Sequence, residues 1–304
     1  MKKEGVLVVG SANMDLVVTS ERFPNPGETV FGKNFAMFPG GKGANQAVSC
    51  AKLGGLTYFL GKMGNDDFQS SLIRSLNESG VNISDVLIEN GAQTGVALIS
   101  VDGSGENEII VISGTNMRFT TNDLLKKQEY FSKVKVVLSQ LEIPIQTVTL
   151  AAQLAKQNGA IFILNPAPAA PLSDELFSFI DYLTPNESEL EILSGINIVD
   201  KSSAEKASRV LLQKGLKNVL VTLGEKGSLL VNNNSVKHFE TYKVKAVDTT
   251  AAGDSFNGAL AYSLSIGKSI EEAIHFASYA AAISVTRMGA QTSMPTLREV
   301  ESLL

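Results

Sequence analysis

The sequence is poor in the residues that build metal centres and disulfides. It contains one cysteine, Cys50, and two histidines, His238 and His275, among 304 residues. A lone cysteine allows no internal disulfide and no cysteine-rich metal site. Cys50 falls on the apolar side of a predicted helix, where we expect it to pack as a small hydrophobe. Because the histidines lie far apart and form no metal-ligand pattern, a Ser–His–Asp hydrolase has little support.

Charge and hydropathy exclude two further classes of protein. The formal net charge is −5 and no dense run of lysine and arginine occurs, which argues against nucleic acid as the main partner. No segment approaches the roughly 20 apolar residues that a membrane-spanning helix needs. The apolar run at residues 6–9 is too short for a signal peptide, and polar residues follow it. We therefore expect a cytoplasmic protein with no membrane partner.

Two common nucleotide-binding motifs are also missing. A Walker A loop places a glycine five positions before a Gly-Lys-Ser/Thr sequence, as its consensus requires. Gly267-Lys268-Ser269 matches only the end of that motif, and Tyr262 occupies the position of the first glycine. No Gly-x-Gly-x-x-Gly occurs, so a Rossmann dinucleotide site has no support. A nucleotide site in this chain would need another kind of loop.

The apolar pattern that is present predicts an α/β fold. Short β-rich apolar runs alternate with helical patterns, which predicts a doubly wound, mostly parallel sheet with helices on both faces. Ligands of such sheets usually bind beyond the carboxyl ends of the strands. The predicted strands are 6–10, 57–60, 134–138, 161–164, 182–184 and 219–223. The predicted helices are 43–53, 66–76, 122–131, 147–157 and 204–214.

Two regions break this alternation. Residues 16–38 and 95–113 contain the strand-like runs LVVTS, TVFGKNF, GVALISV and EIIVI, with no helix between the members of either pair. We expect these four runs to form a small β-sheet apart from the main layer, as a candidate lid. The chain length is near the upper limit for one hydrophobic core, and no linker divides it. We therefore expect a single α/β domain over residues 1–304.

Polar residues occur where predicted strands end and a predicted helix begins. Asn13 and Asp15 follow the first strand at a spacing that puts both side chains on one face, which suits recognition of hydroxyls. The structural alternative is an Asx-rich turn. In PGGKGANQA, the glycines allow the backbone to approach a ligand closely, and Lys42 and Asn45 lie near a helix start. A flexible turn with a capping Asn explains the same pattern. Glu142 ends a strand, where a carboxylate either binds hydroxyls or is solvated.

Two further motifs suit a nucleotide. Asn186 and Glu189 open a helix in TPNESELEIL. Glu189 would stabilise the positive helix end or, alternatively, help to hold hydrated Mg²⁺ beside a phosphate chain. The strand–turn–strand pattern VTLGEKGSLLV, at residues 221–231, would lie under a nucleotide or form an ordinary hairpin. These motifs leave both interpretations open.

The stretch VDTTAAGDSFNGAL, at residues 247–260, carries the clearest chemistry. Asp254 fits a helix cap. Its neighbours Ala251, Ala252 and Gly253 are small, so several backbone N–H groups could surround one anion. An acid beside that anion site could accept a proton from an attacking hydroxyl while the amides stabilise a transferred phosphoryl group. The pattern favours a kinase that works without a Walker loop.

Over almost its whole length the sequence resembles the PfkB family of carbohydrate kinases. GGKGANQA resembles the first signature of the family and DTTAAGDSFNGAL the second. GSANMD, SQLE, LNPAPA, TPNESE, VTLGEKG and VTRMGAQTS occur in the expected order. SANMD, GGKGANQ and LNPAPA together resemble the ribose-specific branch. The resemblance implies ATP-dependent phosphorylation of D-ribose at O5 by direct in-line transfer, with Mg²⁺ and a monovalent cation, usually K⁺, as cofactors.

The resemblance also implies roles for individual residues in binding and catalysis. Asp254 would be the base for the 5-hydroxyl, and the anion hole would consist of Ala251, Ala252 and Gly253. The sugar would be held by Asn13, Asp15, Gly41, Lys42, Gly43, Asn45, Glu142 and Asp254. The nucleotide would be bound by Asn186, Thr222, Gly224, Gly227, Gly253 and Ser278. At Ser278 some members of the family place a histidine near the adenine, so the nucleotide preference stays open.

The implied cation sites depend on different groups. Glu189 would serve Mg²⁺ through water. The monovalent cation would be held mainly by backbone carbonyls, at Asp248, Thr250, Ser284, Arg287, Gly289 and Ser293, the last through its hydroxyl. The resemblance further implies a homodimer through the lid. Two alternatives remain: a kinase for another small sugar or nucleoside such as deoxyribose, and a sugar-binding regulator without catalysis.

Overall fold

The structure, a computed structural model, describes residues 3–303 of the chain. Its strands are β1 (Val6–Val9), β2 (Asn13–Ser20), β3 (Gly32–Gly40), β4 (Thr57–Leu60), β5 (Lys62–Gly64), β6 (Leu87–Glu89), β7 (Gly95–Val101), β8 (Asn107–Ile112), β9 (Val136–Ser139), β10 (Ile161–Leu164), β11 (Tyr182–Leu183), β12 (Asn218–Thr222), β13 (Ser228–Asn232) and β14 (Val236–Phe239). Its α-helices are α1 (Lys42–Lys52), α2 (Asp67–Glu78), α3 (Thr121–Leu125), α4 (Tyr130–Lys133), α5 (Ile145–Gln157), α6 (Asp174–Phe177), α7 (Glu187–Ser194), α8 (Lys201–Gln213), α9 (Ala252–Ser265), α10 (Ile270–Ser284) and α11 (Leu297–Glu301). None of the helices in these described residues is long and apolar enough to cross a membrane.

The main layer is an eight-stranded sheet in the order β14-β13-β12-β11-β10-β9-β1-β4. The pairs from β4 through β12 are all parallel, and β13 and β14 are added antiparallel at one edge. Strand β1 lies between β4 and β9, so the chain winds away from it first in one direction and then in the other. The predicted doubly wound, mostly parallel sheet is confirmed, and β1 marks its topological switch point.

Helices cover both faces of this sheet. Side chains of a strand alternate between the faces, and in β1 the residues Val6 and Val8 join one hydrophobic cluster while Leu7 and Val9 join the other. Helices α1, α2, α9, α10 and α11 contribute to the first cluster, and α3 to α8 to the second. Because the parallel strands are buried on both sides, they consist of short uninterrupted apolar runs.

A second sheet, in the order β3-β2-β7-β8, lies outside the main layer. It contains the four strand-like runs that the sequence places together, so the predicted separate small sheet is confirmed. Its strand β2 begins only a few residues after β1 ends. The carboxyl end of the central strand therefore runs directly into the second sheet. A further short parallel pair joins β5 and β6.

One predicted helix is wrong in extent. Residues 122–131 form two short helices, α3 and α4, separated by a turn. The break falls at Lys126–Glu129, the stretch KKQE, and none of these residues is buried. A continuous helix here would have no apolar side chain in its middle turn to pack on the sheet, and tertiary packing supplies most of a short helix's stability.

Candidate active site

Asp254 lies in the first turn of α9 and is buried, with 6% of its surface exposed. The interpretation of Asp254 as a helix cap is wrong. The N-cap residue is Ala251, in the left-handed region at φ 59°, and no side chain caps the helix. The N–H of Ala252 donates to the carbonyl of Thr249 at 3.3 Å. No side chain accepts from the N–H groups of this first turn, and those of Gly253 and Asp254 can reach another acceptor. An L-residue in this strained conformation is typical of a functional site.

Two side-chain amides of α1 hold the Asp254 carboxylate. Asn45 Nδ2 donates to Asp254 Oδ2 at 3.0 Å, and Gln46 Nε2 donates to Asp254 Oδ1 at 2.9 Å. Burial raises the pKa of Asp254, while Lys42 and the two amide donors act in the opposite direction. An acid with these properties can be ionised and still accept a proton readily from a hydroxyl.

The glycines around Lys42 are required by close packing. Gly41 has φ 84°, and a Cβ there would lie 2.6 Å from the backbone nitrogen of Asn13. A Cβ on Gly43 would lie 2.5 Å from the backbone nitrogen of Ser11. The alternative of a flexible turn with a capping Asn does not describe this segment, because it is packed against the link between β1 and β2. The side chain of Asn45 contacts Asp254, as described above.

Glu142 lies just beyond β9 and faces the start of α1. Its Oε2 accepts from the backbone nitrogen of Lys42 at 3.0 Å and from the hydroxyl of Ser11. Its carboxylate is therefore held at a helix start, where negative charge is stabilised, rather than being freely solvated. This contact joins the carboxyl ends of the neighbouring strands β1 and β9.

Asn13 and Asp15 are not part of an Asx-rich turn. They are alternate residues of β2, so they share one face as the sequence predicts. Asn116 Nδ2 donates to Asn13 Oδ1 at 2.6 Å, and Asp15 lies over Gly40, where a Cβ would be 2.1 Å from the carboxylate. Burial, reinforced by the charges of Glu142 and Asp254, raises the pKa of Asp15 to about 7.

These contacts define an acid–amide cluster of six residues: Asn13, Asp15, Lys42, Asn45, Glu142 and Asp254. Lys42 is the cation of this cluster. Burial alone would lower its pKa, but the carboxylates of Asp254, Glu142, Glu189 and Asp15 outweigh that effect and raise it. The cluster therefore combines charged and amide groups, an arrangement that suits a ligand with several hydroxyls.

A long cleft of about 1070 Å³ adjoins the cluster at Gly253 and Ala252. All residues that the resemblance assigns to the nucleotide line this cleft: Asn186, Thr222, Gly224, Gly227, Gly253 and Ser278. Glycines and alanines lie in its wall beside larger side chains, including the charged ones of Glu187 and Lys243. Gly253 is exposed to the cleft although Asp254, the next residue, is buried. The start of α9 thus separates the cluster from the cleft.

The turn in VTLGEKGSLLV connects antiparallel strands, as in a hairpin, and also forms part of the cleft wall. Gly224 and Gly227 both have positive φ, at 57° and 88°. A Cβ on Gly227 would lie 2.0 Å from the carbonyl oxygen of Phe239, so this turn tolerates no side chain there. The two interpretations left open by the sequence are therefore compatible.

Asn186 and Glu189 form a capping box at the start of α7. Asn186 Oδ1 accepts from the backbone nitrogen of Glu189 at 2.8 Å, and Glu189 Oε2 accepts from that of Asn186 at 2.9 Å. The structural interpretation of this pair is confirmed. Glu189 is also close enough to Lys42 and Asp254 for their charges to affect its pKa, which burial raises. The cap therefore lies beside both the cluster and the cleft.

The residues assigned to a monovalent cation come from the loop before α9, from the end of α10 and from the loop after it, and the two loops are joined to each other. Asp248 Oδ2 accepts from the backbone nitrogen of Gly289 at 2.9 Å, and Asp248 Oδ1 accepts from that of Thr250 at 2.9 Å. Ser284 and Ser293 use their hydroxyls to donate to carbonyl groups close in sequence. The guanidinium of Arg287 pairs with Glu299. The described residues contain no group of three or more His, Cys, Asp or Glu arranged around a metal ion.

Several site residues are missing from the sequence-based assignment. Gln46 contacts Asp254, Asn116 contacts Asn13, and Gln140 and Asn165 contact Gln46. Gln46 lies inside the motif GGKGANQA and Asn165 inside LNPAPA, so their positions in these motifs could have identified them as site residues. Asn116 follows the second sheet in a short 3₁₀ helix, Gly114–Arg118, that carries no motif, and nothing in the local sequence indicates its contact.

Comparison with known proteins identifies the family. The sequence model described as "pfkB family carbohydrate kinase" matches residues 3–297. A ribokinase of Haemophilus influenzae is 42% identical over 302 residues, which is 99% of this chain and 99% of that protein. A crystal structure of a ribokinase from Thermotoga maritima is 46% identical, has a TM-score of 0.89 and covers 98% of each chain.

A further solved structure contains ligands. A ribokinase of Arabidopsis thaliana, complexed with ribose and ATP, is 36% identical, has a TM-score of 0.92 and covers 99% of each chain. These similarities extend over the whole fold, including both sheets. Together with the family match they agree with the motifs of the chain itself. The chain belongs to the pfkB family of carbohydrate kinases.

Proposed function

We propose that this chain transfers the γ-phosphoryl group of ATP to O5 of D-ribose, giving ribose 5-phosphate and ADP. The observation that carries the proposal is the position of Asp254, buried against the amides of Asn45 and Gln46 and next to Gly253, which opens onto the long cleft. Relatives that cover nearly the whole chain include ribokinases, one of which is complexed with ribose and ATP. The acid–amide cluster is the sugar site in this proposal, and the long cleft is the ATP site.

The reaction needs a base, an electrophile and stabilisation of negative charge. Asp254 accepts the proton of the 5-hydroxyl as the oxygen attacks the γ-phosphorus in line, and ADP leaves. The uncapped start of α9, at Ala251, Ala252 and Gly253, provides N–H groups for the charge on the transferred group. No phospho-enzyme forms, because sugar and ATP occupy adjoining sites. Asn13, Asp15, Gly41, Lys42, Gly43, Asn45 and Glu142 hold the sugar.

Glu189 fits a role towards Mg²⁺ through water. One of its oxygens accepts from the backbone of Asn186, and its carboxylate lies beside the cluster, close enough for Lys42 and Asp254 to influence it. Mg²⁺ retains waters and is usually bound by few carboxylates together with substrate phosphates. Bound there, the ion would neutralise phosphate charge. Glu189→Gln should raise the Mg²⁺ concentration needed for half-maximal rate, and an unchanged requirement would contradict this role.

The segments around Asp248 and Gly289 fit a monovalent cation such as K⁺. Asp248 joins the two segments through its carboxylate, which supports a site to which both contribute carbonyl groups. Thr250, Ser284, Arg287 and Ser293 belong to the same pair of segments. We expect KCl to raise the melting temperature more than NaCl at equal ionic strength. Equal melting temperatures in the two salts would refute the assignment.

We further propose that the chain is one kinase domain whose second sheet, at about 16–38 and 95–113, is a lid over the sugar. The outer face of this sheet exposes large apolar side chains, among them Phe35, Met37 and Ile110, at 57%, 55% and 65%. Such a patch is typical of an interface, and the occupant we infer is a second copy of this chain. Sedimentation should give a dimer, and Ile110→Glu a monomer. A wild-type monomer would contradict the inference.

Because ATP is the donor, we expect the enzyme to act in the cytoplasm.

The central experiment replaces Asp254 by Asn. We expect kcat to fall by at least about 10³-fold, because the base is lost, while ribose binding remains measurable by calorimetry. Near-normal turnover in this variant would overturn the mechanism. Release of ADP in the wild-type protein, followed by a coupled assay, separates an enzyme from a sugar-binding regulator.

The alternative substrate is deoxyribose or another small sugar. The cluster presents several polar side chains, and a sugar that lacks a hydroxyl leaves one of them unpaired, which disfavours binding. Comparison of kcat/KM over a panel of sugars tests this. We expect ribose to exceed deoxyribose by at least about tenfold. Equal values would contradict a ribose-specific site without affecting the kinase assignment.

A further inference from the structure

A directed chain of buried amides ends on the carboxylate of Asp254. Gln140 Nε2 donates to Gln46 Oε1 at 2.5 Å, and Gln46 Nε2 donates to Asp254 Oδ1 at 2.9 Å and to Asn165 Oδ1 at 3.0 Å. Gln46 and Gln140 are completely buried. An amide oxygen only accepts and an amide nitrogen only donates. With its oxygen accepting from Gln140, Gln46 presents its nitrogen to Asp254, although the oxygen of Gln140 itself has no hydrogen-bond partner.

Asn165 strengthens the same orientation from the other side. Its Nδ2 donates to the carbonyl oxygen of Thr184 at 3.2 Å, so its Oδ1 faces Gln46. The two hydrogens of Gln46 Nε2 are thus used by Asp254 and Asn165, and its oxygen by Gln140. Every polar group of this side chain has a partner, and a reversed amide would place oxygen against oxygen at Asp254 and at Asn165.

We propose that Gln46 is the positioning residue for Asp254: its amide holds the carboxylate in one orientation and favours the ionised form. The proposal rests on the proposed function, in which Asp254 is the base. Burial disfavours a charged carboxylate, and a hydrogen bond donated to the charged form favours it. Asn45 donates to the other oxygen but is also a proposed sugar ligand, whereas Gln46 has no surface from which to reach a sugar.

Other charged groups also act on Asp254, and they are the same in the wild type and in the variant. Lys42 at the start of α1 favours the ionised form. Glu142 beyond β9, Asp15 of β2 and Glu189 of α7 disfavour it by repulsion. Replacement of Gln46 by Met keeps these groups and the volume of the side chain but removes the donor. The ionised form of Asp254 then loses one of its two amide bonds, so its pKa rises.

The experiment measures kcat and the ribose KM of Gln46→Met between pH 5 and pH 9. We expect the acid limb of the kcat profile to move to higher pH by about one to two units, since hydrogen bonds to charged groups have that strength. At a pH below the acid limb, the kcat of Gln46→Met should be at least about tenfold lower than that of the wild type, while its ribose KM should stay within about threefold of the wild-type value. A matched control is Thr147→Val, which removes a buried hydrogen bond to the carbonyl of Phe119 on the other face of the sheet. The acid limb of the kcat profile of Thr147→Val should stay at the wild-type pH.

A folded Gln46→Met protein whose acid limb coincides with that of the wild type would overturn the proposal, whatever its kcat. If this variant does not fold, Gln46→Leu decides, because it removes the same amide donor from Asp254 with an apolar side chain of another shape. A shift of its acid limb to higher pH supports the proposal, and an unmoved limb overturns it. Asp254→Asn distinguishes failure of the proposed function from failure of the positioning role. If Asp254→Asn keeps normal turnover, the proposed base is wrong. If Asp254→Asn is inactive but the acid limb of Gln46→Met does not move, only the positioning role of Gln46 is contradicted.

Discussion

The acid–amide cluster and the long cleft meet at Gly253 but are built from different groups. In the cluster, buried side chains such as Asn13 and Asn45 have fixed hydrogen-bond partners. The cleft is lined by glycines and alanines, such as Gly224 and Ala252, interspersed with larger side chains. Recognition of hydroxyls requires donors and acceptors in set positions, whereas a phosphate chain can be bound by backbone N–H groups. Removal of a side chain should therefore impair activity most in the cluster, and addition of a side chain should impair activity most in the cleft.

The largest effect should follow from adding a side chain where the two regions meet. A Cβ on Gly253 meets nothing within 4 Å, so Gly253→Val is compatible with the fold but projects into the cleft. We expect kcat to fall by about 10² to 10³-fold, as when an oxyanion-hole donor is lost, with little change in the melting temperature. Initial-rate kinetics and thermal unfolding measure the two quantities.

The matched control for Gly253 lies one turn further along α9. A Cβ on Gly258 would lie 2.5 Å from the Cβ of Ser49 and 2.6 Å from the carbonyl oxygen of Gln46, so Gly258→Ala should lower stability. Two results would contradict the hypothesis that Gly253 leaves space for a phosphate: a loss of stability in Gly253→Val as large as in Gly258→Ala, or an unchanged kcat in Gly253→Val.

The next effect concerns stability rather than rate. Burial, with the charges of Glu142 and Asp254, raises the pKa of Asp15 from 3.8 to about 7, so the folded protein binds a proton that the unfolded chain releases in this pH window. The free energy of unfolding therefore falls as the pH rises from about 4 to about 7. Asp15→Asn should remove this loss and raise the free energy of unfolding at pH 8 by about 1 to 3 kcal/mol.

Denaturant unfolding of both proteins at pH 5 and pH 8, without sugar, tests the prediction. The variant should lose less stability between the two pH values than the wild type and should bind ribose more weakly. A site that costs stability and is needed for binding is common in enzymes. An equal loss of stability in both proteins would show that Asp15 is not the titrating group.

A smaller effect should follow from deleting a supporting side chain of the cluster. Asn116 exchanges hydrogen bonds with the backbone of Ala12 and donates to Asn13. Asn116→Ala should raise the ribose KM by about tenfold and leave the ATP KM unchanged, because only the cluster loses a fixed group. Thr115→Val is the control, since Thr115 donates to the carbonyl of Lys62 and not to Asn13. A parallel rise in both KM values would contradict a role confined to the cluster.

The sequence predicts the fold well where one short pattern determines an element. The predicted strands 57–60 and 161–164 have the bounds of β4 and β10, because uninterrupted apolar runs between polar segments leave few alternatives. The residues 122–131 show the limit: their periodicity is compatible with one helix, but only tertiary packing decides where a helix ends.

The site divides in the same way. Glycine-bordered motifs identify Lys42, Asn45 and Asp254, because short spacings place those side chains at strand ends and helix starts. Contacts between distant segments are not visible in the sequence. Asn116 lies 103 positions from Asn13, and Gln291, which donates to Asn45, lies 246 positions from it. The question whether Asp254 caps its helix also needed the structure, because the answer depends on the backbone of Ala251.

The smallest effect should come from truncating a side chain in the cleft. Ser278 lines the cleft, but its hydroxyl donates to the carbonyl of Ile274 in its own helix at 2.9 Å. Since this donor is already used, Ser278→Ala should change the ATP KM by less than about threefold and leave the ribose KM unchanged. Steady-state kinetics with ATP and with GTP measures the effect on affinity and on nucleotide preference. A tenfold or larger rise in the ATP KM would mean that side chains, and not mainly backbone and space, select the nucleotide, and the contrast between cluster and cleft would then fail.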